Sequence, residues 1–282
     1  MKVIFFVFRF FILGVFFSVG TVLSADEMLK GTVLSIDGDN DQFTIQLENG
    51  KTVVVKVSPG DAQVNYLNKQ IQGKLINEKP YARLERVWPA DPVLAAQAKE
   101  YNSATPMGSK SAQRKVGDMF PSFALYNQDA ELVTDKDLHG KLVVANFIFT
   151  SCMNPEMCPA STRRMAKLQK LLKDEGLVDK VRLVTFTFDP ERDTPGVLKH
   201  YANSYQITND NYMFLTGNPE VVKNVTKQLG ILTINHNGTT SHTMNTLLLD
   251  ENGKIIHSAT GPKWNEDDFL KRIRERLANE GV

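Results

Sequence analysis

From Val116 onward the chain alternates short apolar runs with helix-forming segments, and this alternation restricts the fold more than any other feature. Strands are predicted over residues 122–126, 142–150, 181–188, 212–215, 246–250 and 254–258. Helices are predicted over residues 159–172, 195–205, 219–229 and 266–277; three begin with proline, whose missing N–H costs nothing in a first helical turn. Strands separated by helices are typical of parallel crossovers. The Asn252–Gly253 turn predicts a closing antiparallel hairpin.

The chain contains two cysteines, and both lie between a predicted strand and a predicted helix, in the segment FIFTSCMNPEMCP. The N-terminus of a helix favours an anionic sulfur, so Cys152 and Cys158 indicate thiolate chemistry, either redox or metal capture. The alternative is a structural disulfide, which would close a short loop and remove little entropy. A strand, a thiol loop, a helix and a terminal hairpin together predict a thioredoxin-like α/β domain over residues 113–282.

Residues 1–25 have the pattern of a signal peptide or an N-terminal anchor. Lys2 and Arg9 accompany the apolar stretch Phe10–Leu23, and small residues precede Asp26. The stretch is shorter than the roughly 20 residues of a spanning helix. We therefore expect an exported protein, periplasmic or anchored to the inner membrane and facing the periplasm. An uncleaved segment would be its one membrane contact.

The charge balance argues against a nucleic-acid partner. Without Lys2 and Arg9, the 33 basic residues become 31 against 32 acidic ones, so the processed chain would be nearly neutral.

Residues 26–88 are predicted to form a small all-β module. Alternating segments at Thr32–Ile36, Gln42–Leu47 and Thr52–Val57 are separated by turn residues, including the hairpin signal Asn49–Gly50. The module has no histidine or cysteine, so we expect no metal ligands from it. Residues 89–112 are predicted to be a linker, with one or two turns of helix at Leu94–Tyr101.

Three separated blocks of the second domain resemble the Sco/SenC family of copper chaperones, which have the thioredoxin fold. The first block contains the two cysteines followed by Pro159. The second is TFDPERDTPGVLKHYA, with a DPxRDTP segment, and the third is SHTMNTLLLDENGKI, in which His242 matches the family's metal-binding histidine. The resemblance covers about residues 113–282.

The resemblance implies a metallochaperone, a binding protein rather than an enzyme. It implies that Cys152, Cys158 and His242 bind Cu(I) or Cu(II), and that the cysteines form a redox-active disulfide. The implied recipient is the binuclear copper centre in the copper-bearing subunit of cytochrome c oxidase. Other copper chaperones or thiol reductases are further expected partners.

The residue types agree with copper chemistry, because two thiolates and one imidazole form a compact soft-donor set. A structural zinc site would require a fourth ligand. The five residues between the cysteines exceed the three usual in the family, and they bring Met153 and Met157 close by as candidate accessory ligands or as packing residues. Asp189 is a further accessory candidate or a turn cap, whereas Arg192 and Asp193 are predicted to be a local ion pair and a helix cap.

The main alternative function is a thiol–disulfide oxidoreductase acting on exported protein cysteines. A typical reductase has two residues between its thiols and a cis-proline opposite them. Here the facing segment Ser241–Thr243 has no proline, which favours metal binding. A peroxiredoxin is a weaker alternative, because Thr150 lies two residues before Cys152 rather than three.

Overall fold

The computed structural model describes residues 27–77, 81–104, 113–231, 233–236 and 239–279. For residues 233–236 and 239–242 only the backbone is described. The predicted signal peptide or anchor, residues 1–25, lies outside the described residues. Within the described ranges, no helix combines the length and apolar character needed to cross a membrane.

The first domain is a closed five-stranded barrel with the strand order β1-β2-β3-β5-β4. Its strands are Glu27–Asp37 (β1), Gln42–Leu47 (β2), Thr52–Lys56 (β3), Gln70–Ile76 (β4) and Arg83–Pro89 (β5). A short helix, Pro59–Ala62 (α1), connects β3 to β4. Strand β3 lies parallel to β5 and β1 closes against β4, the arrangement of small Greek-key barrels of the OB type. Alternate side chains point inward because successive strand residues face opposite sides, and they form an apolar core of Val33, Phe43, Ile45, Ile71 and Leu84.

The second domain is built on a seven-stranded mixed sheet with the order β14-β13-β8-β9-β10-β6-β7. Its strands, together with a separate hairpin of β11 and β12, are Ala124–Asn127 (β6), Leu132–Thr134 (β7), Leu142–Ile148 (β8), Val181–Thr187 (β9), Tyr212–Thr216 (β10), Thr233–His236 (β11), Thr239–His242 (β12), Asn245–Leu249 (β13) and Ile255–Thr260 (β14). Strands β8, β9 and β10 are parallel, as their helical crossovers require. Every residue of β8 is buried, so this strand is the centre of the domain.

Helices cover both faces of this sheet. They are Pro92–Ala104 (α2), Cys158–Asp174 (α3), Pro195–Ser204 (α4), Pro219–Gln228 (α5) and Glu266–Asn279 (α6). Pro159, Pro195 and Pro219 occupy first helical turns, as predicted. Residues of α5 pack on one face of the sheet, and residues of α3, α4 and α6 pack on the other. The fold class is therefore confirmed: a thioredoxin-like α/β domain preceded by a small all-β module.

The structure adds two features to the predicted pattern. Between α5 and β13, where no strand is predicted, β11 pairs antiparallel with β12. The predicted linker contains the 13-residue helix α2, which hydrogen-bonds to the second domain. The Tyr101 hydroxyl donates to Asp135 at 2.9 Å, and the Asn102 amide exchanges two hydrogen bonds with the backbone of Ala124.

The barrel contacts the second domain through α1, which packs against α4 at a pair of glycines. A Cβ atom on Gly60 would overlap the carbonyl oxygen of Gly196 and lie 3.0 Å from the Cβ of His200. A Cβ atom on Gly196 would lie 2.7 Å from the backbone nitrogen of Asp61. The two backbones therefore approach more closely than any other residue type allows at either position.

Asp61 is buried at this contact with only 3% of its surface exposed. The Ser58 hydroxyl donates to its carboxyl at 2.6 Å and accepts from its backbone N–H at 3.0 Å, which caps α1. Burial raises the pKa of Asp61 from its ordinary 3.8 to about 6, despite the hydrogen bonds to Ser58. The Tyr66 phenol lies nearby in the barrel, and His200 lies across the contact.

Asp61→Asn is expected to stabilise the protein at neutral pH and to have almost no effect near pH 4. Between the ordinary pKa and the raised one, the folded protein holds a proton that the unfolded chain has released, so the wild type loses stability as pH rises through this window. A difference of about two units between the folded and unfolded pKa corresponds to roughly 3 kcal/mol in unfolding free energy. The uncharged amide of the Asp61→Asn variant would avoid this loss. Urea unfolding of both proteins at a series of pH values measures this difference.

His200→Gln is the control for that experiment, because His200 is exposed beside the same contact and carries an ionisable imidazole. The pH dependence of the Asp61→Asn effect should be the same in the His200→Gln background. A stability gain that is equal at pH 4 and at pH 8 would contradict the assignment to the Asp61 carboxyl.

Candidate metal centre

The two cysteines lie at the carboxyl end of β8, where the chain crosses to the N-terminus of α3. Cys158 is the first residue of α3 and is fully buried, whereas Cys152 in the preceding loop is partly exposed. Neither cysteine is in a disulfide, and both side chains pack in the same cluster at this end of β8. The structure therefore brings the two predicted sulfur ligands together, one accessible and one covered.

Burial controls the acidity of Cys158. It raises the pKa of this thiol well above its ordinary value, the Cys152 sulfur adds to the increase, and a backbone hydrogen bond with Phe149 opposes it. The sequence-based argument expected the start of the helix to favour the anion. At Cys158 that expectation is wrong, because the lost hydration outweighs the helix terminus in the free protein.

An apolar wall covers the buried sulfur. Ile148 at the end of β8 and Met244 just before β13 are buried against Cys158. Partly buried side chains complete the wall: Phe149, Met157, Phe188 and Tyr201. The Tyr201 hydroxyl is 2.9 Å from the Thr162 hydroxyl, which donates to the Cys158 carbonyl at 3.0 Å. Helix α4, which carries Tyr201, thus reaches the thiol site.

A buried carboxylate, Asp193, fixes the start of the cysteine loop. It accepts from the backbone N–H of Thr150 at 3.1 Å and from the Thr150 hydroxyl. It also accepts from the Thr187 hydroxyl at 2.5 Å. The predicted role of Asp193 as a helix cap is wrong, since its carboxyl bonds to the ends of β8 and β9 instead. The Thr150 hydroxyl is directed to this carboxylate, whereas the peroxiredoxin alternative would direct it to a sulfur.

Two cations hold the rest of the loop from outside. The Arg163 guanidinium donates to the Pro155 carbonyl at 2.8 Å, and Lys263 forms a 2.9 Å ion pair with Glu156. The Lys263–Glu156 pair is exposed, so it contributes little stability. These contacts still restrict the loop on both sides of Glu156.

The candidate accessory ligands lie in different surroundings. Met153 is 93% exposed, and Met157 packs in the apolar wall beside the thiols. Asp189 forms a 3.0 Å ion pair with Arg192, which is the local ion pair predicted for Arg192. All three remain candidates as metal ligands.

His242 ends β12, where its backbone pairs with Thr233. Its side chain lies outside the described part of the chain, so its role as a ligand stays a prediction. Two residues later, Met244 packs on Cys158, which brings this segment to the thiol site. Sequence reasoning missed Met244, although its position just before an apolar strand opposite the cysteine loop was a usable signal.

The described residues contain no cluster of three or more His, Cys, Asp and Glu side chains placed to hold a metal ion. The two adjacent sulfurs nevertheless fit a soft monovalent ion, which accepts low coordination numbers. A further ligand would come from the accessory candidates Met153, Met157 and Asp189 or from the undescribed His242 side chain.

The sequence model of the SCO1/SenC family matches residues 111–278. The chain belongs to the SCO1/SenC family. This SCO1/SenC protein is 43% identical over 95 residues to the SCO1 protein homolog of Bacillus subtilis, a match that covers 34% of the chain and 47% of that relative. It is 31% identical over 162 residues to a protein of Stutzerimonas stutzeri named a putative copper-binding protein, covering 56% of the chain and 76% of that relative.

The SCO1/SenC protein also resembles the solved structure of BsSco, with a TM-score of 0.51 and 29% sequence identity. The likeness covers 58% of this chain and 96% of BsSco. BsSco is described as having a disulfide switch and as a member of the Sco family of cytochrome c oxidase assembly proteins.

Proposed function

We propose that this SCO1/SenC protein is a copper metallochaperone that carries copper on Cys152, Cys158 and His242. The observation that supports it most directly is the position of two thiols beside each other at the carboxyl end of β8, one buried and one partly exposed. Thiolates are preferred ligands of Cu(I), and an imidazole would extend the set towards Cu(II). Membership of the family and the relative named copper-binding support the same cargo.

The proposed recipient is the binuclear copper centre in the copper-bearing subunit of cytochrome c oxidase. Support comes from the likeness to BsSco, which is described as a cytochrome c oxidase assembly protein. Delivery to that subunit requires a location outside the cytoplasm. We therefore propose that the protein is exported, either periplasmic or anchored to the inner membrane, where other copper chaperones or thiol reductases act on it.

A second candidate function, thiol–disulfide exchange, uses the same two sulfurs. An accessible thiol beside a buried one is the arrangement in which the first attacks a target and the second resolves the mixed disulfide. The disulfide switch described for BsSco favours this chemistry as a companion of copper binding. The distinguishing residue is His242, which is a ligand in the first function and dispensable in the second.

Reduced protein is expected to bind about one Cu(I) ion per chain, and Cys158→Ala should weaken this binding strongly. Loss of a direct ligand should exceed the roughly 10- to 100-fold that loss of an outer-shell partner costs in metal affinity. His242→Ala should also weaken copper binding and alter the Cu(II) spectrum, while leaving disulfide exchange largely intact. Titration against a competing Cu(I) chelator, paired with an exchange assay, measures both effects.

His257→Gln is the matched control, because His257 lies in β14 and contacts Asp268 of α6 at 3.5 Å rather than the thiol site. It should bind copper as the wild type does. Unchanged copper affinity in Cys158→Ala would refute the site. If the His242→Ala protein binds copper normally but has lost disulfide exchange, the chaperone function is wrong and the oxidoreductase function takes its place.

A further inference from the structure

Helix α4 lies between the barrel and the thiol site, and it contacts both. Its first turn and one side meet α1 of the barrel, whereas the residues before it and Tyr201 reach the cysteine loop. The barrel sequence has no histidine or cysteine. Helix α4 therefore connects the barrel to the thiol site without a His or Cys ligand from the barrel.

The side of α4 that faces the barrel packs closely against it. The glycine pair Gly60–Gly196 brings the two helix backbones together, and the Asn203 amide donates to Gln63 of the barrel at 2.5 Å. The turn between β6 and β7 adds Ala130 to the core of the barrel. The barrel thus meets the second domain at two separate segments.

The thiol side of α4 is fixed by hydrogen bonds. Asp193 lies three residues before Gly196 and holds Thr150, which is two residues before Cys152. Nearly two turns into α4, the Tyr201 hydroxyl contacts the Thr162 hydroxyl, which donates to the Cys158 carbonyl. A helix is stiff over such a distance, so a displacement of its first turn by the barrel changes the positions of both groups.

We propose that the barrel, docked through the Gly60–Gly196 contact, positions α4 and thereby keeps the Cys158 thiol covered. Gly60 is then a positioning residue in one domain for a thiol in the other. The proposal concerns the same thiol pair as the proposed function and adds its regulation. It is stated for the thiols of the copper-free protein, so it can hold or fail independently of copper binding.

The test replaces Gly60 by Ala and by Leu in the full chain. Alanine is the better helix former, so any loosening of the contact arises from the overlap with Gly196 and not from α1 itself. Hydrogen exchange of residues 194–203 reports opening of the contact. Initial rates of alkylation of Cys152 and Cys158, resolved by tandem mass spectrometry, report exposure of each thiol.

In both variants the backbone amides of residues 194–203 are expected to exchange hydrogen faster, and Cys158 is expected to be alkylated at least about threefold faster. A buried group reacts through the population in which the contact is open. Hydrogen exchange in the buried strand β8 should remain slow, which would exclude global unfolding as the cause. Gly38→Ala is the matched control, since a Cβ at that barrel glycine meets nothing within 4 Å, and it should behave as the wild type.

Opening of the contact with an unchanged Cys158 rate would overturn the proposal. Unchanged exchange in residues 194–203 for both variants would overturn it as well, because the glycine contact would then not hold the barrel. Should either variant fail to fold, Gln63→Ala loosens the exposed rim of the same contact and is judged by the same two readouts. A wild-type chain that binds no copper would refute the proposed function and leave this result intact.

Discussion

Oxidation of the two thiols to a disulfide is expected to abolish copper uptake. Each sulfur gives up its hydrogen, the S–S bond forms, and an added disulfide such as oxidised glutathione accepts the two electrons and two protons. A disulfide leaves no thiolate to bind the metal, and thiolates supply most of the affinity in the proposed site. The partly exposed Cys152 attacks first, and the adjoining Cys158 then closes the bond.

Mass spectrometry of the oxidised protein should show the loss of two hydrogen atoms, and copper titration of the same sample should show no high-affinity site. Dithiothreitol should restore both properties. Cys152→Ser is the control, because it cannot lose two hydrogens within one chain. An oxidised wild-type protein that still takes up copper would separate the disulfide from the metal site and contradict the proposed ligand set.

The largest loss of stability is expected from Asp193→Ala. The substitution leaves the Thr150 N–H and two hydroxyls without their buried acceptor, and each unsatisfied group costs about 1–3 kcal/mol. We expect a total loss of roughly 3 kcal/mol or more in unfolding free energy. Copper binding should weaken too, because the loop that presents Cys152 loses its anchor.

Asp193→Asn is expected to be milder, since the amide keeps one acceptor oxygen, and burial already raises the pKa of the Asp193 carboxyl. Asp189→Ala is the matched control four residues away. Its exposed pair with Arg192 should contribute less than about 1 kcal/mol. Urea unfolding of the three variants measures the series. Equal losses for Asp189→Ala and Asp193→Ala would show that the Asp193 hydrogen bonds do not anchor the loop.

Local signals were sufficient to predict most of the second domain. The helix starts follow from proline at Pro195 and Pro219, and the central strand follows from the run Leu142–Ile148, which is apolar except for Asn146. The β2–β3 hairpin follows from Asn49–Gly50, and Gly50 has the positive φ, 79°, that such a turn requires. In each case the residues that specify the conformation are neighbours in sequence.

Features that depend on distant partners were predicted only in part, as with α2, or not at all. Helix α2 has a weak apolar pattern of its own, and it hydrogen-bonds to Asp135 and Ala124, more than 20 residues away. The β11–β12 hairpin is polar, so neither strand has the apolar alternation that marks a half-buried strand. Tertiary contacts decide such segments, and a short window of sequence does not contain them.

The candidate metal centre also combines features that neighbouring residues specify with features that distant residues specify. The adjacency of Cys152 and Cys158 follows from the strand, loop and helix around them, but the burial of one sulfur depends on Met244 and Tyr201 from other elements. The acceptor role of Asp193 depends on a threonine 43 residues earlier. The assignment of His242 came from a family resemblance and remains a prediction.

Because the two sulfurs are unequally exposed, a reacting molecule approaches the thiol pair from the side of Cys152. Any molecule that reacts with the pair, whether it donates a metal, accepts one or carries a thiol, meets Cys152 before Cys158. In the proposed copper site, transfer by ligand exchange would therefore proceed inward on loading and outward on unloading, and Cys158 would be the last sulfur to be released. The covered sulfur would then set how long the proposed cargo is retained, and the exposed one how fast a partner can begin to take it.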